Sequence, residues 1–582
     1  MWDLWRILKR SSDQASVVWL TTSAILVCVG GASASLAPLA LKRIIDGLEP
    51  GAPYKSFAWL IGAYILALLV QRGCEPIQAF AYGRGEQRLI SRFSNQAFAH
   101  MLALPLAFHL DGRAGAHTQT IANGTNGLRL ILAHLAMSVA PIAVQLLLAA
   151  TIMVAALGPA IATAVLVAML AYAVVFAWGV TWLGEAAKAI STAQIDTGAA
   201  TTDSLMNIET IKAFTAEARF VARHDRSLAE TEAKWALFLR RRLVNGLAVA
   251  MVFCLAMGAT HLLAGDSVAA GRLSLGGLVM INAYLLQLLR PLEVLGFAFR
   301  DIAQSLAYLG ALRTVMRHEA EVTDALVDVG TPNTPADLTF ENVSFTYGSE
   351  RKILEGISFH ASPGATLGIV GPSGAGKSSL LRLVLRFFEP TEGEIRLDGR
   401  SIAAIPLGAL RGQIALVSQD TILFNDTIRA NIGLAAERPD DRELHDAVER
   451  ARLSDLLAQL PEGLETLVGE RGLKLSGGEK QRISIARAAL KRARLVIFDE
   501  ATAALDPSTE QAVWAAMRNI AQSTTTLIVT HRLATVSEAD EILVLDRGCI
   551  VQRGRHAELM VEPGLYRQLW RAQTSKNQVE TV

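Results

Sequence analysis

The chain has 582 residues, of which 51% are hydrophobic and 19% charged, with mean hydropathy +0.33 and 55 Lys+Arg against 54 Asp+Glu. These figures exclude a disordered chain, a collagen-like chain and an ordinary soluble enzyme, and a net charge of +1 supplies no basic field for nucleic acid. Four cysteines (Cys28, Cys74, Cys254 and Cys549) stand far apart without CxxC spacing, which argues against a disulfide framework or a zinc site.

Residues 2–10 have the pattern of a short amphipathic helix lying on the inner membrane surface. Arg6, Lys9 and Arg10, an apolar run and Ala32-Ser33-Ala34 also have the form of a signal peptide. The run continues past Ala34 to Leu41, however, and reads as a first span over 16–41. The second, 57–70, is too short unless it continues through Arg72 and Glu75. From Leu130 to Gly184 there are 55 residues without Asp, Glu, Lys or Arg. As one helix this stretch would reach about 80 Å, against a hydrocarbon core of about 30 Å. It must therefore fold back, and Gly158-Pro159 is the turn between spans 131–157 and 160–184. Leu243–Gly265 is a fifth span, and 273–289, continued through Arg290 and Glu293, a sixth.

Lys and Arg set the orientation. The segment between the second and third spans carries Arg84, Arg88, Arg92, Arg113 and Arg129. That between the fourth and fifth carries nine, from Lys188 to Arg242. The third-to-fourth turn has none, and Lys42 and Arg43 on the outer side are a mild violation. Both termini are expected in the cytoplasm, with two long helical connections reaching into it. Residues 1–317 read as a helical six-span membrane domain, 318–337 as a turn-rich linker and 338–572 as an α/β domain, leaving 573–582 as a tail. Strand-like runs open the α/β domain at 338–347 and recur at 366–370, 495–498 and 526–529.

Gly371-Pro372-Ser373-Gly374-Ala375-Gly376-Lys377-Ser378, followed by Ser379, matches GxxxxGK[ST] after a strand. Backbone N–H groups of such a loop close around phosphates, Lys377 reaches the β/γ-phosphates, and Ser378 suits Mg²⁺. Leu495-Val496-Ile497-Phe498-Asp499-Glu500 is an apolar strand ending in two carboxylates. Alone it would be an ordinary helix cap. Beside the phosphate loop, Asp499 is placed to hold Mg²⁺ through water and Glu500 to polarise an attacking water. Ser476 and the glycines of Leu475-Ser476-Gly477-Gly478-Glu479-Lys480-Gln481-Arg482 form a second anion-binding helix start.

This last string resembles the signature of ATP-binding cassette (ABC) proteins, in which two α/β P-loop cassettes sandwich ATP head to tail. The resemblance implies that Tyr347 stacks on adenine, that Gln419 contacts Mg²⁺ and senses the membrane domain, and that His531 is a switch histidine on the γ-phosphate. It likewise makes Glu470 part of a cross-linking loop and Asp506 part of a dimer contact. Six spans joined to one cassette resemble an ABC exporter half-transporter, so a homodimer in a bacterial inner membrane is expected, with ATP and Mg²⁺ as cofactors, a small-molecule or peptide substrate and no nucleic acid partner.

Arg72/Glu75 and Arg290/Glu293, each spaced i, i+3, pair with themselves or face a substrate cavity. Asn245, Asn282, Gln287 and Arg300 are weaker cavity candidates, and the three amides are equally suited to bridging helices. The strings 108–110, 203–212 and 282–288 resemble the branch of mitochondrial iron–sulfur-linked exporters, heavy-metal-tolerance factors and their bacterial relatives. This implies glutathione-derived or metal–thiol cargo and a coupling helix near 206–214 that docks by Gln419. Glu293 and Leu247-Ala248 depart from that branch, and a small ribosomal peptide, hydrophobic drug or lipid is the alternative cargo. An ATP-gated channel or regulator and an importer variant are the rival functions.

Overall fold

In the computed structural model the described residues are 12–48, 54–111, 114–157, 159–321, 334–347, 352–436, 438–469, 472, 475–502 and 507–579. Residues 2–10, Gly158, most of the expected linker, Glu470 and Asp506 lie outside them. The chain divides into two compact units, one of residues 1–102 and 112–319 and the other of 103–111 and 320–582.

The first unit is helical. Helices α1 (Gln14–Asp46) and α2 (Tyr54–Leu102) pack along one another, and α3 (Leu106–Asp111) is a short helix of the second unit. Next come α4 (Ala114–His134), a π-helical turn at Leu135–Val139, α5 (Ala140–Leu157) and α6 (Pro159–Met206). The unit ends with α7 (Ile208–Ala213), α8 (Glu217–Ala269) and α9 (Leu275–Met316). Among the described residues five stretches are long and apolar enough to cross a membrane: Gln14–Asp46, Ala58–Leu102, Gln119–Leu157, Ile161–Met206 and Glu217–Ala269. The sixth expected span falls on α9, whose described apolar part is only Leu275–Gln287. The expected fold-back is present, α5 ending at Leu157 and α6 starting at Pro159.

Small residues let these helices approach closely. A Cβ on Gly31 of α1 would stand 2.9 Å from Val144 Cγ1, and the Tyr284 hydroxyl of α9 donates to Ser35 O of α1 at 2.6 Å. Asp46 accepts from Gly276 N at 2.9 Å, capping the start of α9, and Lys42 pairs with it at 2.8 Å. The lysine that breaks the charge rule is therefore neutralised by a cap.

The second unit is built on strands β1 (Leu338–Thr346), β2 (Lys352–Ala361) and β3 (Thr366–Val370), then α10 (Lys377–Val384), β4 (Glu392–Leu397), β5 (Arg400–Ser401), α11 (Leu407–Gly412) and β6 (Ile414–Val417). Helices α12 (Ile428–Gly433), α13 (Asp441–Arg450), α14 (Ser454–Gln459) and α15 (Gly477–Lys491) follow, then β7 (Leu495–Asp499), α16 (Pro507–Ala521) and β8 (Thr525–Val529). The chain closes with β9 (Glu541–Asp546), β10 (Cys549–Gly554), α17 (His556–Val561) and α18 (Leu565–Val579). A six-stranded sheet in the order β10-β9-β3-β8-β7-β6 is parallel except at β10, and a four-stranded antiparallel sheet runs β2-β1-β4-β5. Strands β3, β7 and β8 are covered on both faces, which is why they read as unbroken apolar runs.

Arg494, just before β7, fastens the entry of this unit. It is 8% exposed, pairs with both Asp398 carboxylate oxygens at 2.5 and 3.1 Å, and donates to Thr334 O at 2.6 Å and Gln413 Oε1 at 2.7 Å. Arg494→Ala would strip Asp398 of its counter-ion, leaving it the Asp337 N–H, and would remove the donor to Thr334 O and Gln413 Oε1. It is expected to destabilise the unit by about 3 kcal/mol, read as an earlier denaturant midpoint in the purified protein.

Candidate functional site

The loop after β3 turns into α10 through positions that exclude a side chain. Gly376 precedes the helix at φ +102, and a Cβ there would stand 2.6 Å from Leu354 Cδ2 and 3.0 Å from Ile353 O. At Gly371 a Cβ would meet Leu545 O at 2.1 Å, whereas Gly374, at φ +80, has open space. The backbone N–H groups at the start of α10 have no partner within the helix and form an anion cradle. Lys377 is buried beneath it, its Nζ donating to Gly371 O at 2.8 Å and Pro372 O at 3.0 Å. Burial lowers its pKa, and the charges of Glu500 and Asp499 oppose that shift.

Ser373 and Ser378 are exposed at the loop, whereas Ser379 is buried with its hydroxyl 3.3 Å from Tyr347 Oη. Arg382 also donates to Tyr347 Oη, at 3.1 Å, and the ring stands edge-on to Phe345 and Phe388. Tyr347 is thus fixed beside the cradle and still 36% exposed.

Strands β7 and β8 run side by side, with Asp499 opposite Val529. Glu500, one residue on, donates its N–H to Val529 O at 2.8 Å and takes a left-handed backbone, φ +48. A glutamate there costs about 1 kcal/mol, a strain the sheet edge sustains. Its Oε2 lies 3.2 Å from His531 Nδ1. Burial, reinforced by the neighbouring Glu500 charge, pushes the Asp499 carboxyl up to about 6. A carboxylate raised in this way gains from a cation, and Asp499, the Ser378 hydroxyl and the Gln419 amide are oxygen donors suited to Mg²⁺. No group of three or more His, Cys, Asp or Glu is placed to hold a metal among the described residues. An ion here would complete its shell with phosphate and water oxygens.

The signature string begins α15. Ser476 caps the helix, its N–H donating to Glu479 Oε2 at 2.7 Å while Glu479 N donates back to Ser476 Oγ at 3.4 Å. Ser476 is exposed. Gly478 is buried where a Cβ would overlap Thr509 Cγ2 of α16 at 1.8 Å. Among the described residues no hydrogen bond or ion pair joins Ser476–Glu479 to the phosphate loop. Sequence reasoning missed Gln481, which is buried and donates to Gln419 O at 2.6 Å and Ser418 O at 3.1 Å. It ties the backbone of exposed Gln419 to the signature helix. Its signal is a polar residue on a buried stripe with Gly478, Ile485 and Ala488.

In the membrane unit Arg72 and Glu75 pair with each other at 3.8 Å. Glu75 also lines a cavity of about 290 Å³ with Gln71, Cys74, Gln78, Met137 and Gln145. Asn245 is buried against α6, where a Cβ on Gly179 would lie 1.7 Å from its Oδ1, and Gln287 donates to Ala34 O at 3.0 Å. Gln287 thereby joins α9 to α1, whereas Asn245 Oδ1 is buried without a hydrogen-bond partner. Asn282 is half-buried, and the side chains of Arg290, Glu293 and Arg300 lie outside the described residues.

The ABC transporter transmembrane region family matches residues 20–292, and the ABC transporter family matches 354–503. The ATM1-type heavy metal exporter of Novosphingobium aromaticivorans is 35% identical over an alignment of 593 residues, covering 99% of this chain and 96% of the relative. The chain belongs to the ABC transporter family. The mitochondrial iron-sulfur clusters transporter ATM1 of Saccharomyces cerevisiae is 36% identical over 553 residues, covering 93% of this ABC transporter and 80% of its own length. A bacterial Atm1-family ABC exporter solved with ATP bound superposes with a TM-score of 0.85 at 35% identity, covering 96% of this chain and 99% of that one. The ABC transporter is thus an ATPase whose hydrolysis drives transport, with a helical membrane domain and a nucleotide-binding cassette.

Because the Asp499 carboxyl holds its proton to a higher pH folded than unfolded, the folded state binds more protons between about 4 and 6, and stability falls as pH rises through that window. Asp499→Asn is expected to remove this part of the slope. Thermal unfolding of the nucleotide-free and Mg²⁺-free proteins from pH 4 to 7 measures the difference.

Proposed function

We propose that this ABC transporter is a homodimeric exporter in a bacterial inner membrane, its cassette cytoplasmic, moving glutathione-derived or metal–thiol compounds outward. The observation that carries the cargo class is the full-length likeness to a heavy metal exporter. In this reading the membrane domain lies within 1–317 and has six spans, α9 completing the sixth through Arg290 and Glu293. The linker of 318–337 leads to the cassette, 338–572.

The glycines of the phosphate loop, with Ser373, Lys377, Ser378 and Ser379, bind the phosphates of ATP, and Tyr347 stacks on adenine. Ser476, Gly478 and Asp506 of the partner subunit close the sandwich, which gives the exposed helix start of α15 its use. Ser378, Gln419 and Asp499 would hold Mg²⁺, which when bound neutralises charge on the transferring phosphoryl group. Glu500 accepts the proton of the attacking water, and His531, held beside it, orients the carboxylate and reaches the γ-phosphate. Arg72, Glu75, Asn282, Arg290, Glu293 and Arg300 are assigned to the cargo path. Gln287, whose amide donates to Ala34 O, and Asn245, buried against Gly179, are assigned to packing.

Glu500→Gln keeps the shape and hydrogen-bonding reach while removing the base. The variant is expected to bind ATP normally and to lose about 100-fold or more in turnover, and near-normal ATPase would overturn the assigned role. For the cargo, wild-type inside-out vesicles are expected to accumulate glutathione disulfide or a metal–glutathione complex in the presence of ATP, and Glu500→Gln vesicles are not. Robust ATPase without such uptake would reject the thiol cargo in favour of the peptide or drug alternative.

A further inference from the structure

His531 sits where regular structure has ended. Beyond β8, Thr530 still donates its N–H to Ile369 O at 3.2 Å, and Arg532 N donates to Thr530 Oγ1 at 2.9 Å. The Arg532 guanidinium pairs with Glu510 of α16 at 2.6 Å. The imidazole itself is 52% exposed, so little packing fixes its position 3.2 Å from Glu500. The carbonyl of His531 itself is held by a side chain from far along the chain. The Gln573 amide donates from Nε2 to His531 O, and its Oε1 accepts from Leu533 N at 3.1 Å.

This two-point contact imitates a neighbouring strand. A primary amide presents a donor and an acceptor side by side, as a peptide group does, so Gln573 continues the pairing that β8 leaves off. The helix that carries it is itself anchored. Tyr566, Leu569, Trp570 and Gln573 fall at i, i+3, i+4 and i+7 on one face of α18. Tyr566 is fully buried, with its hydroxyl 2.7 Å from His556 Nδ1 and its N–H donating to Gln552 Oε1 at 3.0 Å. The Trp570 ring lies 4.5 Å from that of His556, and Leu569 and Trp570 pack on the core that includes Leu533 and Val536. The helix therefore cannot lift without opening the core under the histidine loop.

We propose that Gln573 is a positioning residue for ATP hydrolysis, setting the His531 imidazole against Glu500 by clamping the backbone at the His531 carbonyl and at the N–H of Leu533 two residues on. The inference rests on the role proposed above for His531.

The test uses full-length protein in lipid nanodiscs, measuring ATPase rate and KM for ATP in Gln573→Leu, Gln573→Glu, His531→Ala and the His531→Ala/Gln573→Leu double variant. Gln573→Leu, which removes both contacts at nearly constant volume, is expected to lower kcat about tenfold while KM for ATP stays within about twofold. Gln573→Glu keeps an acceptor for Leu533 N but sets a carboxylate oxygen against His531 O, so a loss at least as large is expected. In the His531→Ala background, Gln573→Leu is expected to have no further effect, since the two act as a unit. The acidic limb of the pH–rate profile should also move in Gln573→Leu. It should stay in place in Tyr566→Phe, which loosens the same helix without touching the loop. A wild-type rate in Gln573→Leu would overturn the inference, as would an equal loss in both backgrounds or an equal shift in Tyr566→Phe. An unchanged rate in His531→Ala would instead overturn the role given to His531.

Discussion

Parallel pairing of β3, β8 and β7 is the constraint on which the nucleotide site rests. Adjacent strands lie about 4.8 Å apart, and parallel strands end on the same edge. The three loops that leave this edge carry Gly371 to Lys377, then His531, then Glu500. Chemistry separated by more than 150 residues of chain is thereby gathered within two strand spacings. A ligand at the carboxyl ends of a parallel sheet is the general arrangement of such folds. Here it also explains the left-handed backbone of Glu500: the chain must bond to Val529 O and still turn its carboxylate toward the histidine.

Electrostatics within that edge are mutual. Lys377, Asp499 and Glu500 each perturb a neighbour: the carboxylates support the charge on the buried lysine, and Glu500 makes the second ionisation at Asp499 harder. The cluster is consequently short of positive charge, which suits a site that takes a nucleotide together with a divalent cation. Gln481 adds a mechanical link, joining the signature helix to the backbone of Gln419, so displacement of one moves the other.

Much of this was legible in the sequence because the signals were local. The 55-residue charge-free stretch forced a fold-back, which falls between Leu157 and Pro159. Short apolar runs at 366–370, 495–498 and 526–529 lie on β3, β7 and β8. Arg72 and Glu75, spaced one turn apart, do meet. What was not legible were partnerships whose two halves are unrelated in sequence. Gln573 lies in the stretch expected to be a tail, and only the docking of α18 through Tyr566 and Trp570 brings it to His531. Arg494 is one arginine among many until Asp398 and Thr334 are folded against it. The burial of Asn245 depends on a glycine 66 positions earlier that leaves room for its amide.

That glycine has a consequence for how the membrane helices move. With the buried Asn245 amide packed on Gly179, a side chain at position 179 would force the asparagine or the two helices to shift. Where helices of this unit repack, seams padded by flexible side chains such as Met153, Met169 and Met280 yield more readily than this one.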